Sequence, residues 1–121
     1  MNRKTYAVDW DGTLVEYHGF GGPCVYGPPI PHMVRRVHDW LRDGHEVIIF
    51  TSRVSSEHPL KRIMEESKAI DVVLQHMGLP LLQITANKFI RISEFWDDRG
   101  VRVEKNTGIV NEDLGTIQRP G

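Results

Sequence analysis

The 121-residue chain has the length of one domain with a single hydrophobic core. Its residues are 40% hydrophobic and 26% charged, and its net charge of −1 argues against general electrostatic attraction to nucleic acid or to an anionic membrane. No apolar run approaches the roughly 20 residues that span a bilayer, and Met1–Lys4 shows no sign of a signal peptide. Cys24 is the lone cysteine, so no internal disulfide can form, and we expect a reducing, cytoplasmic location.

The first predicted strand, residues 5–9, is an apolar run that ends in two closely spaced carboxylates, Asp9 and Asp11, at an Asp-Gly turn. Open α/β sheets bind their ligands at the carboxyl ends of such strands. Both acids ionise at neutral pH and repel each other unless a cation lies between them. The pattern therefore predicts a site for a hard divalent cation such as Mg²⁺.

Residues 15–31 form a loop that is rich in glycine and proline. Its glycines do not complete a G-x-G-x-x-G fingerprint, because Cys24 stands at the third glycine position, and this excludes a dinucleotide site. We expect a flap that covers one side of the site, and we call residues 15–31 the flap loop.

A helix is predicted from Pro31 to Gly44, because apolar residues recur with helical spacing between a proline suited to the first turn and a terminating glycine. Residues 46–51 follow as a strand that is apolar at successive positions, as in a strand covered on both faces. Strand, helix and strand in this order predict a parallel pair with a right-handed crossover.

The second strand ends in Thr51, Ser52 and Arg53. If the first two strands are adjacent and parallel, this tip lies close to Asp9. Arg53 is then a candidate for binding an anion, with a solvated side chain as the alternative. We favour Thr51 over Ser52 as a site residue because Thr51 directly follows the apolar run.

The later part of the chain predicts a second helix and two or three short strands. The helix covers residues 57–77, and a break in its apolar stripe at Ser67 and Lys68 indicates either a kink or two shorter helices. The strands are predicted at residues 81–84, 93–97 and, as an edge strand, 101–103. Residues 104–121 form a polar tail.

Four short motifs in this order resemble those of the haloacid dehalogenase (HAD)-like superfamily of phosphohydrolases. They are D-x-D-G-T at Asp9, Thr51 after the second strand, Lys88 in a loop, and the acidic pair Asp97 and Asp98. The resemblance covers about residues 5–103 and is closest to small members without a cap domain. It implies one Rossmann-like α/β domain of three layers, with a mainly parallel sheet in the order 3-2-1-4-5.

The resemblance also implies an activity, that of a phosphatase acting on a phosphate monoester. Asp9 is then the nucleophile that forms an aspartyl-phosphate, and Asp11 is the general acid and base. Thr51 and Lys88 bind the phosphoryl group, with Ser52 and Arg53 as further substrate-binding candidates. Asp9, the Asp11 carbonyl and Asp97 or Asp98 hold Mg²⁺, with Asp97 as the first choice.

Two other functions remain open at this point. A receiver domain, which is phosphorylated as a switch, also uses acidic residues, a threonine and a lysine around Mg²⁺, but it carries its acceptor aspartate on the third strand. An inactive HAD-like binding domain is the second alternative. The substrate is a small or macromolecular phosphate ester, and nucleic acid is expected only as a substrate.

Overall fold

The computed structural model describes residues 2–110 of the chain. Its elements in chain order are strand β1 (Thr5–Asp9), helix α1 (Pro31–Arg42), strand β2 (Glu46–Phe50), helix α2 (Leu60–His76), strand β3 (Gln83–Thr85) and strand β4 (Glu94–Trp96). The four strands form one parallel sheet in the order β3-β2-β1-β4. The predicted α/β class with a parallel sheet is therefore confirmed.

The sheet differs from the predicted five-strand order 3-2-1-4-5 at its edge. Within the described residues no strand forms at 101–103, where Val103 makes only an isolated antiparallel bridge to Val110. This bridge closes a local turn, so Val103 does not pair with β4. The predicted polar tail is described as far as Val110, and the rest of it, 111–121, lies outside the described residues.

Both helices lie on the same face of the sheet. Val37 of α1 and Leu74 of α2 are fully buried in one core with Val8, Val47 and Ile49 of the central strands. The crossovers from β1 to β2 and from β2 to β3 step in the same direction, so a right-handed path places both helices on one side. The described residues contain no helix on the opposite face, and the predicted three layers are two.

The link from β3 to β4 explains the missing layer. These strands are three spacings apart, and only residues 86–93 connect them. Eight extended residues reach about 26 Å, which exceeds the roughly 14 Å required, but they leave no room for a crossover helix. The link contacts the open face instead, where Arg91 donates to the carboxylate of Glu46 and to Gln83.

The helix ends follow their sequence signals, with one correction. Pro31 begins α1, and Gly44 follows its last turn with φ +88°, a conformation that favours glycine. Helix α2 is a single continuous helix, without the predicted break, and it begins after Pro59. Of the helices described, none combines the length and the apolar character that a membrane span requires.

The one-sided core makes a testable prediction about stability. Leu74 is fully buried on α2, whereas Leu81 is 66% exposed in the link before β3. Leu74→Ala should lower the free energy of unfolding by about 2–5 kcal/mol because it leaves a cavity in the core. Leu81→Ala is the control and should stay within about 0.5 kcal/mol of wild type. Urea denaturation measures both, and equal losses would contradict this core.

Candidate active site

The turn after β1 brings two carboxylates to the carboxyl end of the sheet. Asp9 is the last residue of β1 and pairs in register with Phe50 of β2. The carbonyl of Trp10 then accepts N–H groups from residues 13–15, which closes a tight turn around Asp11 and Gly12. Gly12 has φ +83°, so the turn requires a left-handed residue directly after Asp11.

The predicted acidic pair at the end of β4 reaches the same edge. Trp96 pairs with Val8, so Asp97 and Asp98 leave the sheet level with Asp9. Asp98 lies against the β1 turn, because a Cβ atom added to Gly12 would be 2.7 Å from Asp98 Oδ2.

The two members of this pair have different roles in the loop. Asp97 Oδ1 accepts the backbone N–H groups of Arg99 and Gly100 and holds its own loop. Asp98 is therefore the member of the pair that faces the β1 turn.

The acidic side chains at this end of the sheet affect the pKa of Asp9. Burial, followed by the negative charges of Asp98, Asp97 and Asp11, raises the pKa of Asp9 to about 7, against a backbone hydrogen bond with Trp10 that lowers it. A half-buried carboxyl among three like charges is an environment that binding of a cation would relieve.

The donor set suits Mg²⁺, which prefers carboxylate and carbonyl oxygens and keeps several waters. Within residues 2–110, no three His, Cys, Asp or Glu side chains are grouped so as to hold a metal ion. A site made from the carboxylates of Asp9 and Asp98 and the carbonyl of Asp11 requires only two such side chains. The chemistry of these donors is compatible with Mg²⁺, and the magnesium site stays a prediction.

Thr51 lies beside these acids, buried at the tip of β2. Its Oγ1 accepts the N–H of Arg53 at 3.2 Å, and its own N–H donates to the carbonyl of Thr85 at 2.9 Å. The bond from Arg53 N fixes the side chain, which is only 2% exposed, and among the described residues the hydroxyl proton has no protein acceptor. Ser52 is exposed at the start of the short 3-10 turn Ser52–Val54.

Arg53 is turned inward rather than towards solvent. It is only 4% exposed, and its Nε and Nη2 donate to Asp11 Oδ2 and Oδ1 at 2.7 and 3.1 Å. Nη1 donates to Glu66 and to the carbonyl of Gly22, and Nη2 also donates to the carbonyl of Val25. All five guanidinium N–H groups are thus used by protein acceptors, and none is left for a substrate anion in this arrangement.

Glu66 and Tyr26 belong to this cluster, and the sequence analysis did not single them out. Glu66 is fully buried on α2 and accepts the hydroxyl of Tyr26 at 2.5 Å. Burial and this bond raise the pKa of Tyr26, so the phenol stays protonated and donates. A signal was present in the sequence, because Glu66 lies three residues after Ile63 and four before Ile70, inside the apolar stripe of α2.

Lys88 occupies the link between β3 and β4 and is exposed. Its Nζ lies 5.3 Å from the ring centroid of Phe95. Phe95 pairs with Ala7, two residues before Asp9, so Lys88 lies over the sheet face to which strand alternation directs Asp9.

Comparison with known proteins gives a fold and no family. No family model and no curated protein matches the chain. Among solved structures, a conserved protein from Bacteroides thetaiotaomicron is similar, with a TM-score of 0.56 and 24% sequence identity over 93% of this chain and 86% of that chain. At this identity the similarity shows a shared fold alone, and function has to be argued from the site.

The raised pKa of Asp9 predicts an unusual pH dependence for the metal-free protein. The folded-state pKa of about 7 is above the unfolded value near 3.9, so the folded state binds the extra proton and stability falls as pH rises through 7. Asp9→Asn removes this charge, so its melting temperature should exceed that of wild type more at pH 8 than at pH 5, measured in EDTA. Asp43→Asn, at the opposite end of the sheet after α1, is the control. If the difference in melting temperature between Asp9→Asn and wild type is the same at pH 5 and pH 8, the prediction is wrong.

Proposed function

We propose that the chain is a small, capless HAD-like phosphatase that hydrolyses a phosphate monoester through an aspartyl-phosphate on Asp9 and requires Mg²⁺. The observation that carries the proposal is the meeting of the Asp9 and Asp11 turn with Asp98 at the carboxyl end of the sheet, directly beside Thr51. Alone among these acids, Asp9 ends a central strand, so its position is the most rigid.

The nucleophile and the acid of the proposed reaction are separate side chains. A carboxylate oxygen of Asp9 attacks phosphorus, the ester P–O bond breaks, and Asp11, which enters this step protonated, gives its proton to the leaving oxygen. In the second step Asp11 takes a proton from water, which attacks the phosphorus of the aspartyl-phosphate and releases inorganic phosphate with Asp9 restored.

The metal-binding residues in this proposal are Asp9, the carbonyl of Asp11 and Asp98, with Asp97 as the alternative to Asp98. We call the carboxyl end of the sheet with Asp9, Asp11, Asp97 and Asp98 the acidic edge. Bound Mg²⁺ would offset its negative charge and that of the incoming phosphate. We now favour Asp98 over Asp97 because Asp98 lies against the β1 turn, whereas Asp97 Oδ1 is used by its own loop.

Phosphoryl transfer depends mainly on positioning and on stabilising charge at the equatorial oxygens. Thr51 supplies a fixed hydroxyl donor, and the exposed Ser52 supplies a second hydroxyl one residue later. Lys88 supplies the mobile positive charge from the open face, since a lysine carries its ammonium group on a long flexible stem. Because Arg53 is saturated by protein acceptors, its role is to hold Asp11.

The flap loop leaves the site accessible. Its base is closed by hydrogen bonds from Glu16 N to the Pro28 carbonyl and from Ile30 N to the Leu14 carbonyl, but Tyr17, Phe20 and Val25 expose much of their apolar surface. An open site of this kind accepts a small or a macromolecular phosphate ester. A screen of phosphate esters with Mg²⁺, with released phosphate as the readout, identifies the class.

The decisive experiment compares the two aspartates of the turn. With p-nitrophenyl phosphate and Mg²⁺, Asp9→Asn should form no phosphoenzyme, because the nucleophile is gone. Asp11→Asn keeps the nucleophile, and this ester needs no protonation of its leaving group, so the variant should be phosphorylated on Asp9 and stall. Turnover of Asp11→Asn should fall by about 10²–10⁴-fold. Intact-protein mass spectrometry after a rapid quench measures the phosphoenzyme.

Asp43→Asn serves as the matched control and should behave as wild type, and beryllofluoride binding checks that each variant keeps its site. Full turnover by Asp9→Asn would overturn aspartyl-phosphate chemistry. Wild-type protein that is phosphorylated once without releasing phosphate would instead favour the receiver-like switch.

A further inference from the structure

We propose that Glu66 is a positioning residue for the proposed reaction, which acts through Arg53 on both the Asp11 carboxylate and the flap loop. The inference rests on the proposed phosphatase function for its catalytic half. Its structural half concerns how the flap loop is held and can be tested without any activity.

The guanidinium of Arg53 is saturated by protein acceptors. A guanidinium has five N–H groups in a fixed plane, and here two bind Asp11, one binds Glu66 and two bind carbonyls of the flap loop. The rings of Phe20 and Tyr26 lie 5.0 and 4.7 Å from its central carbon atom. The orientation of the guanidinium is therefore determined from all sides, and it presents a fixed fork to Asp11.

Glu66 lies where its carboxylate can bind both Arg53 and the flap loop. Its carboxylate is fully buried and accepts three hydrogen bonds, from Arg53 Nη1 at 3.3 Å, from Cys24 N at 2.8 Å and from the Tyr26 hydroxyl at 2.5 Å. Two of the three donors belong to the flap loop. A single buried charge on α2 thus fastens the flap loop directly and again through Arg53.

The contacts of Arg53 affect the proposed reaction through the Asp11 side chain. Arg53 lies between two carboxylates, and each limits how far the guanidinium can turn towards the other. Without the charge of Glu66, Arg53 keeps its pair with Asp11, but the contact that anchors it to α2 becomes a weaker hydrogen bond to a neutral acceptor. The Asp11 side chain then becomes less well placed for proton transfer, while Asp9 and Thr51, which are held by the sheet, stay in position.

The test uses Glu66→Gln, which keeps the shape of the side chain and removes its charge. The rate of phosphoenzyme formation is measured by rapid quench with p-nitrophenyl phosphate, whose leaving group needs no proton, and with glycerol 2-phosphate, whose alkoxide does. We expect this rate for glycerol 2-phosphate to fall by about tenfold or more, as a fraction of what proton transfer contributes. The fall for p-nitrophenyl phosphate should be much smaller, because the later hydrolysis of the phosphoenzyme, which also uses Asp11, does not enter this rate. KM should change little for either ester.

The second readout is amide hydrogen exchange of the metal-free protein, followed by mass spectrometry. Glu66→Gln should speed exchange in the flap loop around Cys24, whose N–H donates to Glu66, and leave β2 unchanged. Glu65→Gln is the matched control, because Glu65 is the exposed neighbour on α2, and it should match wild type in both assays.

Tyr26→Phe is the milder variant and removes only the hydroxyl that donates to Glu66. It should change both readouts in the same direction by a smaller factor, and it keeps the test decisive if Glu66→Gln folds poorly. Equal losses in the rate of phosphoenzyme formation for the two esters would overturn the positioning role, as would a rise in KM alone, which would place Arg53 on the substrate.

The two proposals fail in different ways. Wild-type protein that releases phosphate, together with unchanged exchange and an unchanged rate of phosphoenzyme formation in Glu66→Gln, would overturn this inference and leave the proposed function standing. Wild-type protein that releases no phosphate from either ester would overturn the proposed function and the catalytic half of the inference. Faster exchange in Glu66→Gln would then still establish that Glu66 holds the flap loop.

Discussion

The guanidinium of Arg53 connects four separate parts of the chain, and the order of the acidic edge depends on it. From the tip of β2 it binds Asp11 after β1, Glu66 on α2 and two carbonyl groups of the flap loop. A buried ion pair adds little net stability over apolar packing, but the loss of one partner leaves an uncompensated buried charge. We therefore regard this interaction as a device that selects one arrangement of the turn and the flap.

The acidic edge differs from the Arg53 ion pair, because it brings like charges together. Asp11 is neutralised by Arg53, but Asp9 and Asp98 have no cation of the protein between them in the contacts described, and the pKa of Asp9 is about 7 as a result of burial and of its neighbours. Such an edge is unfavourable for the bare protein. Under the proposed function, the same charges that cost stability would favour binding of a divalent cation.

The handedness of the crossovers decides which face of the sheet carries the helices of the described residues. With α1 and α2 on one face, the other face carries the link, which is too short for a helix and from which Arg91 and Lys88 contact the sheet. Strand alternation directs Asp9 to this second face, opposite Val8 in the core, together with Ala7 and Ile48, which are buried. The short link therefore covers the centre of this face and leaves Lys88 exposed.

The sequence by itself determined the class of the fold, the two helices, the parallel sheet and the edge at which the acids meet, because apolar periodicity and the order of strands are local signals. The single helical layer of the described residues and the absent strand at 101–103 were decided by tertiary structure, since they depend on the direction of both crossovers and on the pairing of Val103 with Val110. So was the inward turn of Arg53. Its partners lie between 13 and 42 residues away in the chain, and no local pattern distinguishes a saturated guanidinium from one that awaits a phosphate. Arg53 turns inward because Glu66 is buried beside it and accepts one of its guanidinium N–H groups.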